Sequence, residues 1–169
     1  MGNFIESPTT VIVDYGCKYG TTLASLRSSF PNAHLIGLDH SPLFIELGRK
    51  QFESSNLDLK IVDLMHGSHL KNNLADIALI LSPQPASYGS QREPLFEAML
   101  NDAYLVTLAN GYIIVKSELK NVFSHLRKEI GDGKFDLISG DLSHRLRGQR
   151  KVVLQPNKPN YLLDELKLV

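Results

Sequence analysis

Apolar residues gather along this chain in short runs separated by polar stretches that carry glycine and proline. Thr10–Val13, Leu35–Leu38, Leu59–Val62, Ile77–Leu81 and Tyr112–Val115 are runs of strand length, rich in Val, Ile and Leu. They read as buried strands. Between them the spacing turns helical. Thr21–Ser29 places Leu23 and Leu26 three apart on one face, and a second helix runs from about Pro42 to Ser54. Ser41 is its expected cap, with Pro42 at the first helical position. Glu93–Ala109 predicts a long helix closed by a turn at Asn110-Gly111. Leu119–Ile130 predicts another, with Leu119, Val122, Phe123 and Leu126 as its core face. Only His66–Ala75 separates the third strand from the fourth, so the element there must be very short. After Ile130 the rhythm changes. Phe135–Ile138 and Val152–Leu154 are strand-like, and a packed crossover helix does not fit between them.

Strands alternating with helices imply a parallel sheet covered on both faces, with right-handed crossovers. The expected architecture is α/β: a doubly wound, mostly parallel seven-stranded sheet with a C-terminal antiparallel hairpin, in a single domain over residues 1–169. In such a sheet a ligand sits beyond the carboxyl ends of the strands, at the switch point beside the first.

The stretch Thr10–Ser41 brings chemistry to that edge. It reads strand, glycine-bracketed turn, amphipathic helix, strand, acid. Gly16 and Gly20 let backbone come close to a ligand where a Cβ would intrude. The helix that follows offers free N–H groups and the positive end of its dipole. Asp39 follows at about the 20-residue distance from which a carboxylate reaches ribose hydroxyls. Strand, turn, helix and acid together make a nucleotide-like ligand the natural reading.

Two segments carry a family resemblance: Asp14-Tyr15-Gly16-Cys17-Lys18-Tyr19-Gly20, and Phe30-Pro31-Asn32-Ala33-His34-Leu35-Ile36-Gly37-Leu38-Asp39-His40-Ser41-Pro42. They resemble the first two motifs of class I S-adenosylmethionine-dependent methyltransferases, which read D-x-G-C-G-x-G and x-P-x-A-x-x-x-G-x-D-x-S. The likeness continues through Ile45–Arg49 and through Ile61-Val62-Asp63-Leu64 at the tip of the third strand. A nicotinamide enzyme would instead carry G-x-G-x-x-G, whereas the spacing here is G-x-x-x-G. The resemblance implies a Rossmann-like fold and S-adenosylmethionine as cofactor. It further implies that Asp14, Gly16, Cys17, Lys18 and Gly20 line the cofactor, with Asp39 on the ribose. His40 would border the adenosine, Asp63 and Leu64 would lie near the adenine, and Ser82 would end the fourth strand beside the sulfonium.

One position departs from the family. Its middle glycine is Lys18 here, where a side chain crowds the methionine end of the cofactor. A lysine can point to solvent after a small backbone shift, contact the cofactor carboxylate, or fill the pocket. The outward-facing lysine is the ordinary reading.

After the fourth strand comes Ser82-Pro83-Gln84-Pro85-Ala86-Ser87-Tyr88-Gly89, the segment that in the family faces methyl group and acceptor. It lacks the [N/D]-P-P-[Y/F] of base N-methyltransferases. Pro83-Gln84-Pro85 and Arg92 loosely resemble the P-x-P loop of transfer-RNA guanine-N7 methyltransferases, without their basic cluster and tryptophan. A rigid loop whose prolines simply end the strand accounts for the same residues. If methyl transfer occurs, Gln84 and Tyr88 are the expected catalytic-face residues: an amide that orients the acceptor and a phenol that stacks on it. His66 and His69 form H-x-x-H, which reads as a pair of surface histidines, since no cysteine or carboxylate stands nearby at ligand spacing; no metal site is expected.

Composition narrows the partners. Net charge is +0, so no global field recruits nucleic acid or an acidic membrane. The basic excess lies between Lys116 and Lys158, where Arg145, Arg147, Arg150 and Lys151 cluster; no aromatic residue is interleaved to stack bases, and a solvated hairpin tip explains them. The single cysteine, Cys17, excludes an internal disulfide and reads as a small packing residue. No apolar run approaches the roughly 18 residues of a membrane span, and the cytoplasm is the expected compartment. With nine residues ahead of the first strand, the acceptor pocket is expected to be open. A protein partner, a second copy or the tail Gln155–Val169 would then complete it.

The function expected is therefore S-adenosylmethionine-dependent methyl transfer to an acceptor, small molecule or macromolecule, that the sequence does not identify. The alternative is a methyltransferase fold that no longer methylates. Such a protein would serve as a partner subunit, or as a cyclase or isomerase with Lys18 as a cation in the old pocket.

Overall fold

The computed structural model describes residues 10–52, 56–81, 92–116, 136–139 and 151–155. In chain order the described elements are β1 (Val11–Tyr15), α1 (Thr21–Leu26), β2 (His34–Asp39), α2 (Pro42–Gln51) and β3 (Leu57–Ile61), followed by a 3-10 turn (Leu64–His66). Then come β4 (Ala75–Ile80), α3 (Arg92–Val106), β5 (Thr107–Lys116), β6 (Asp136–Ser139) and β7 (Lys151–Gln155). The strands form one seven-stranded sheet in the order β3-β2-β1-β4-β5-β7-β6. The order steps outward from β1 to β3 and then resumes on the other side at β4, so the reversal lies between β1 and β4. The strands there leave their carboxyl ends at one edge.

Both faces of the sheet are covered, and the period of two along each strand sorts the side chains between them. Val11, Val13 and Tyr15 of β1, with Ile36 and Leu38 of β2, pack with Leu95, Phe96, Met99 and Leu100 of α3. Ile12 and Leu35 face the other way, into a cluster with Leu23 and Leu26 of α1 and Ile45 of α2. Continuous apolar strands are thus the consequence of helices on both sides. Ser41 caps α2 as expected, its Oγ accepting from the Phe44 N–H at 3.4 Å. The short element after β3 is the 3-10 turn, capped by Asp63.

Two expectations are corrected. The C-terminal strands are not an antiparallel hairpin: β7 pairs with β5 in parallel, and β6 pairs with β7 in parallel. A hairpin follows only if a tight turn joins the strands. The strands' own composition does not fix their pairing direction. The long helix also ends at Val106, three residues early, and β5 starts at once. The register then shifts, from Ala75 opposite Thr107 to Ile77 opposite Tyr112. Gly111 permits this crowding, since a Cβ there would lie 2.5 Å from Thr107 Cγ2 and 2.8 Å from the Asp76 carbonyl. The Leu119–Ile130 helix lies outside the described residues.

Leu59 holds the site edge together. It is buried in β3 between three glycines: a Cβ on Gly20 would come within 2.8 Å of it, one on Gly37 within 2.6 Å and one on Gly48 within 2.8 Å. At Gly48 the approach also involves backbone, because a Cβ would stand 2.3 Å from the Tyr19 carbonyl oxygen. The α2 helix therefore rests directly on the turn after β1, and the Tyr19 ring packs at 4.6 Å on Phe44 of that helix.

Leu59→Ala is expected to lower the unfolding free energy by about 2–5 kcal/mol, the range for a large buried aliphatic residue replaced by alanine. Urea melts measure it. A loss below about 1 kcal/mol would mean that turn and helix close over the gap, and that Leu59 is not what spaces them.

Candidate functional site

The turn after β1 is a fixed backbone shape. Gly16, Lys18 and Gly20 all have positive φ, at 76°, 53° and 78°. The N–H groups of Gly16 and Cys17 both donate to the Leu38 carbonyl, at 2.8 and 3.0 Å, and the Gly20 N–H returns to the Cys17 carbonyl at 2.8 Å. The turn thus lies down on the end of β2. Lys18 takes the left-handed conformation that a glycine takes without cost, a strain of about 1–2 kcal/mol for a side-chain-bearing residue. Its side chain is exposed.

Asp39 offsets that strain. It is only 4% exposed. Its Oδ2 accepts the Lys18 N–H at 3.0 Å and its Oδ1 accepts the Ser41 N–H at 2.9 Å. One carboxylate therefore ties the turn after β1 to the start of α2. His40 beside it is exposed, its Nδ1 3.5 Å from Asp39 Oδ1.

Asp14, at the end of β1, is provided for differently. It is 3% exposed, and among the described residues no cation or hydrogen-bond donor offsets its burial. Burial first, and the Asp39 charge second, push its carboxyl up from 3.8 to about 8. The same causes act on Cys17: burial, then Asp14 and Asp39, raise its thiol well above the ordinary range. Its Sγ–H donates to the Lys18 carbonyl at 3.6 Å. Cys17 is thus a buried member of the apolar cluster with its thiol held in the protonated form.

Asp63 stands past the tip of β3, exposed. The Met65 N–H donates to its Oδ1 at 3.1 Å, and His66 Nδ1 lies 2.9 Å from its Oδ2. The Met65 N–H, followed by His66, holds its carboxyl below the usual range. His66 thus has the carboxylate partner that spacing did not reveal. Among the described residues no group of three potential ligands gathers for a metal ion. The Leu64 side chain is buried in the α3 core, so only its backbone faces the tip of β3.

Asp14, Gly16, Cys17, Lys18, Gly20, Asp39 and His40 therefore meet at the ends of β1 and β2, with Asp63 at the next strand end. Ser82, Gln84 and Tyr88 lie outside the described residues, as do Arg145, Arg147 and Arg150. Three positions had no role in the sequence reading: Leu59, Gly37 and Gly48. The glycines did leave a signal, since an isolated glycine inside a strand or helix marks a close approach of neighbouring atoms. Nothing in the pattern distinguishes Leu59 from any other strand leucine.

A match to the protein family described as "Methyltransferase domain" covers residues 12–111. No curated protein matches the chain. PKMT2 from Rickettsia typhi superposes with a TM-score of 0.51 at 21% identity, over 62% of this chain and 20% of that one. In the complex of the Haloferax volcanii Trm112 methyltransferase activator with its methyltransferase, the values are 0.50 and 20%, over 72% and 51%. Geranyl diphosphate C-methyltransferase from Streptomyces coelicolor A3(2), solved with S-adenosyl-L-homocysteine, aligns with a TM-score of 0.50 at 12% identity, over 62% and 38%. These likenesses show the fold. This chain spans 20% to 51% of those chains' length.

The Asp14 carboxyl makes stability depend on pH. Its pKa is raised on folding, so the folded protein binds more protons than the unfolded chain between pH 3.8 and about 8. Stability should be full below that window and fall through it, with this group contributing about 1.4 kcal/mol per pH unit. Asp14→Asn is expected to flatten the decline and to exceed the parent in stability at pH 8. Parallel declines in urea melts at pH 5, 6.5 and 8 would show that Asp14 does not carry the effect.

Proposed function

We propose, since the chain belongs to the methyltransferase-domain family in its class I S-adenosylmethionine-dependent form, that it binds S-adenosylmethionine along Gly16–Gly20. The methyl group then passes to an acceptor presented at the switch point between β1 and β4. The observation that carries this reading is the pair of buried acids beside the turn. One is bonded to backbone and the other, Asp14, is left with nothing among the described residues to neutralise it. A ligand that carries both a diol and a cation fits those two groups.

The residues divide the work. A carboxylate has about four acceptor positions, and two on Asp39 are used by Lys18 and Ser41, which leaves acceptor capacity for two ribose hydroxyls. Asp14 answers the ammonium of the methionine portion. Asp63, with the Leu64 backbone, stands where the adenine edge would lie, and His40 borders the nucleoside. When bound, S-adenosylmethionine supplies a methyl group already activated as a sulfonium. The chain's task is to hold the acceptor in line and keep water away. Gln84 and Tyr88, with the backbone at Ser82, are the residues proposed to orient it. Neither is a strong base at neutral pH, as a tyrosine hydroxyl titrates at about 10, so the acceptor brings its own nucleophilicity.

The rival reading keeps the fold without methyl transfer. Its cyclase or isomerase version would use Lys18, an exposed cation on the glycine turn. A protein partner has a parallel in the Haloferax complex, where a methyltransferase is paired with an activator, and that pairing does not require loss of methyl transfer.

Calorimetry with S-adenosylmethionine and S-adenosylhomocysteine tests the cofactor. Binding of both is expected, and no heat at millimolar concentration from either would end the reading. Lys18→Gly is expected to change affinity by less than about threefold, roughly 0.6 kcal/mol, because the backbone already has a glycine's shape. Asp39→Ala should cost more than about tenfold, or about 1.4 kcal/mol. For the acceptor face, Gln84→Ala with Tyr88→Phe should lower turnover and leave cofactor affinity within about threefold. Transfer of labelled methyl to an acceptor in a lysate decides between enzyme and inactive relative.

A further inference from the structure

β3 is the terminal strand of the described sheet on the β1 side, and its backbone sorts its polar groups between two directions. The Leu35 N–H donates to the Asn56 carbonyl, and the Val62 N–H donates to the Asp39 carbonyl. Bonding alternates along a parallel strand, so positions 56, 58, 60 and 62 serve β2. Leu57, Leu59 and Ile61 therefore turn their N–H and C=O groups outward. Arg49 of α2 agrees with this: its Nε donates to the Leu59 carbonyl at 2.9 Å, and its Nη2 bonds the same oxygen. A guanidinium thus stands where the N–H of a next strand would stand. Sheet edges are guarded in this way because open strand backbone is a template for another chain.

The side chains of this edge say what fits it. Asp58 and Lys60 flank Leu59 on one face, half-exposed and 3.2 Å apart, and Ile61 is an exposed apolar residue at the end of the strand. Suppose a second copy lies antiparallel on the edge, with Leu59 opposite Leu59. The outward groups then meet in bonding pairs, Leu59 with Leu59 and Leu57 with Ile61. Asp58 falls opposite Lys60 on both sides of the axis, a favourable cross-strand pair. A slip of one residue sets outward groups against inward ones and loses the bonds. A slip of two sets Asp58 on Asp58 or Lys60 on Lys60, like charges directly opposed. One register therefore satisfies both backbone and charge. We infer that the β3 edge is a self-association surface, which joins two copies about a twofold axis at Leu59 into one continuous sheet. Arg49 is its latch and must leave the Leu59 carbonyl before the strands pair. Because the strands run antiparallel, the binding edges of the two copies face opposite ways.

Sedimentation equilibrium of the full chain tests this. Arg49→Met keeps the stem and removes the donors, and it is expected to dimerise about tenfold more tightly than the parent. Arg49→Ala serves as a second removal of the latch. In either background Asp58→Lys sets a lysine against Lys60 of the other copy, and Lys60→Asp sets an aspartate against Asp58. Each swap alone is expected to give a monomer, while an equal mixture of the two recovers the dimer as a mixed pair. Both side chains are half-exposed, so the swaps spare the core, and a circular dichroism melt checks that each variant is folded. Chains without the latch that stay monomeric at millimolar concentration overturn the inference. A dimer that survives either swap places the contact elsewhere, and a mixture that remains monomeric removes the charge pairing on which the register rests.

Discussion

The distance between the turn after β1 and the layer beneath it governs the site. Leu59 sets that distance from below, and the absence of a Cβ at Gly20, Gly37 and Gly48 allows it. At Gly20 and Gly37 a Cβ would press on the end of the Leu59 side chain, whereas at Gly48 it would meet the Tyr19 carbonyl itself. In a densely packed interior the backbone contact is the one that cannot be absorbed locally, so a side chain at position 48 must move the turn that shapes the binding edge. Packing, not chemistry, is the first requirement of this site.

Chemistry enters through two carboxyl groups brought into one poorly solvated corner. Asp39 earns its burial with two amide hydrogen bonds, and in doing so holds Lys18 in a conformation that a lysine adopts only under constraint. Asp14 lies beside it without such support. The result is an asymmetric pair, one acid held by two backbone amides and its neighbour with its carboxyl pushed up to about 8. Two acids of one type thus acquire different roles from environment alone.

The opposite face of β1 is anchored independently. Tyr15, fully buried, donates its hydroxyl to Asp102 Oδ2 of α3 at 2.7 Å, and Asp102 Oδ1 accepts the Ser68 N–H at 3.0 Å. One carboxylate thus joins the strand, the helix and the segment after the 3-10 turn. Burial and the Asp102 charge raise the Tyr15 hydroxyl beyond the ordinary range, so it remains a donor. The strand that carries Asp14 and the glycine turn is therefore fixed from both sides.

Much of this was legible in the residues themselves. Runs of Val, Ile and Leu spaced by helical segments specify a covered parallel sheet, because each periodicity buries one kind of surface. The glycine turn followed by Asp39 marks the binding edge, since only certain residues tolerate those backbone shapes and distances. Ser41 and Pro42 mark the start of α2 through purely local bonding. The direction of β6 and β7 was not legible, because it is not set by the strands' own composition. Nor was the left-handed backbone of Lys18, which is held by the amide bond to Asp39 across the turn. Asp14 is the clearest case. Its identity as an acid is written in the chain, but its raised pKa arises only when folding strips it of water and sets another carboxylate beside it.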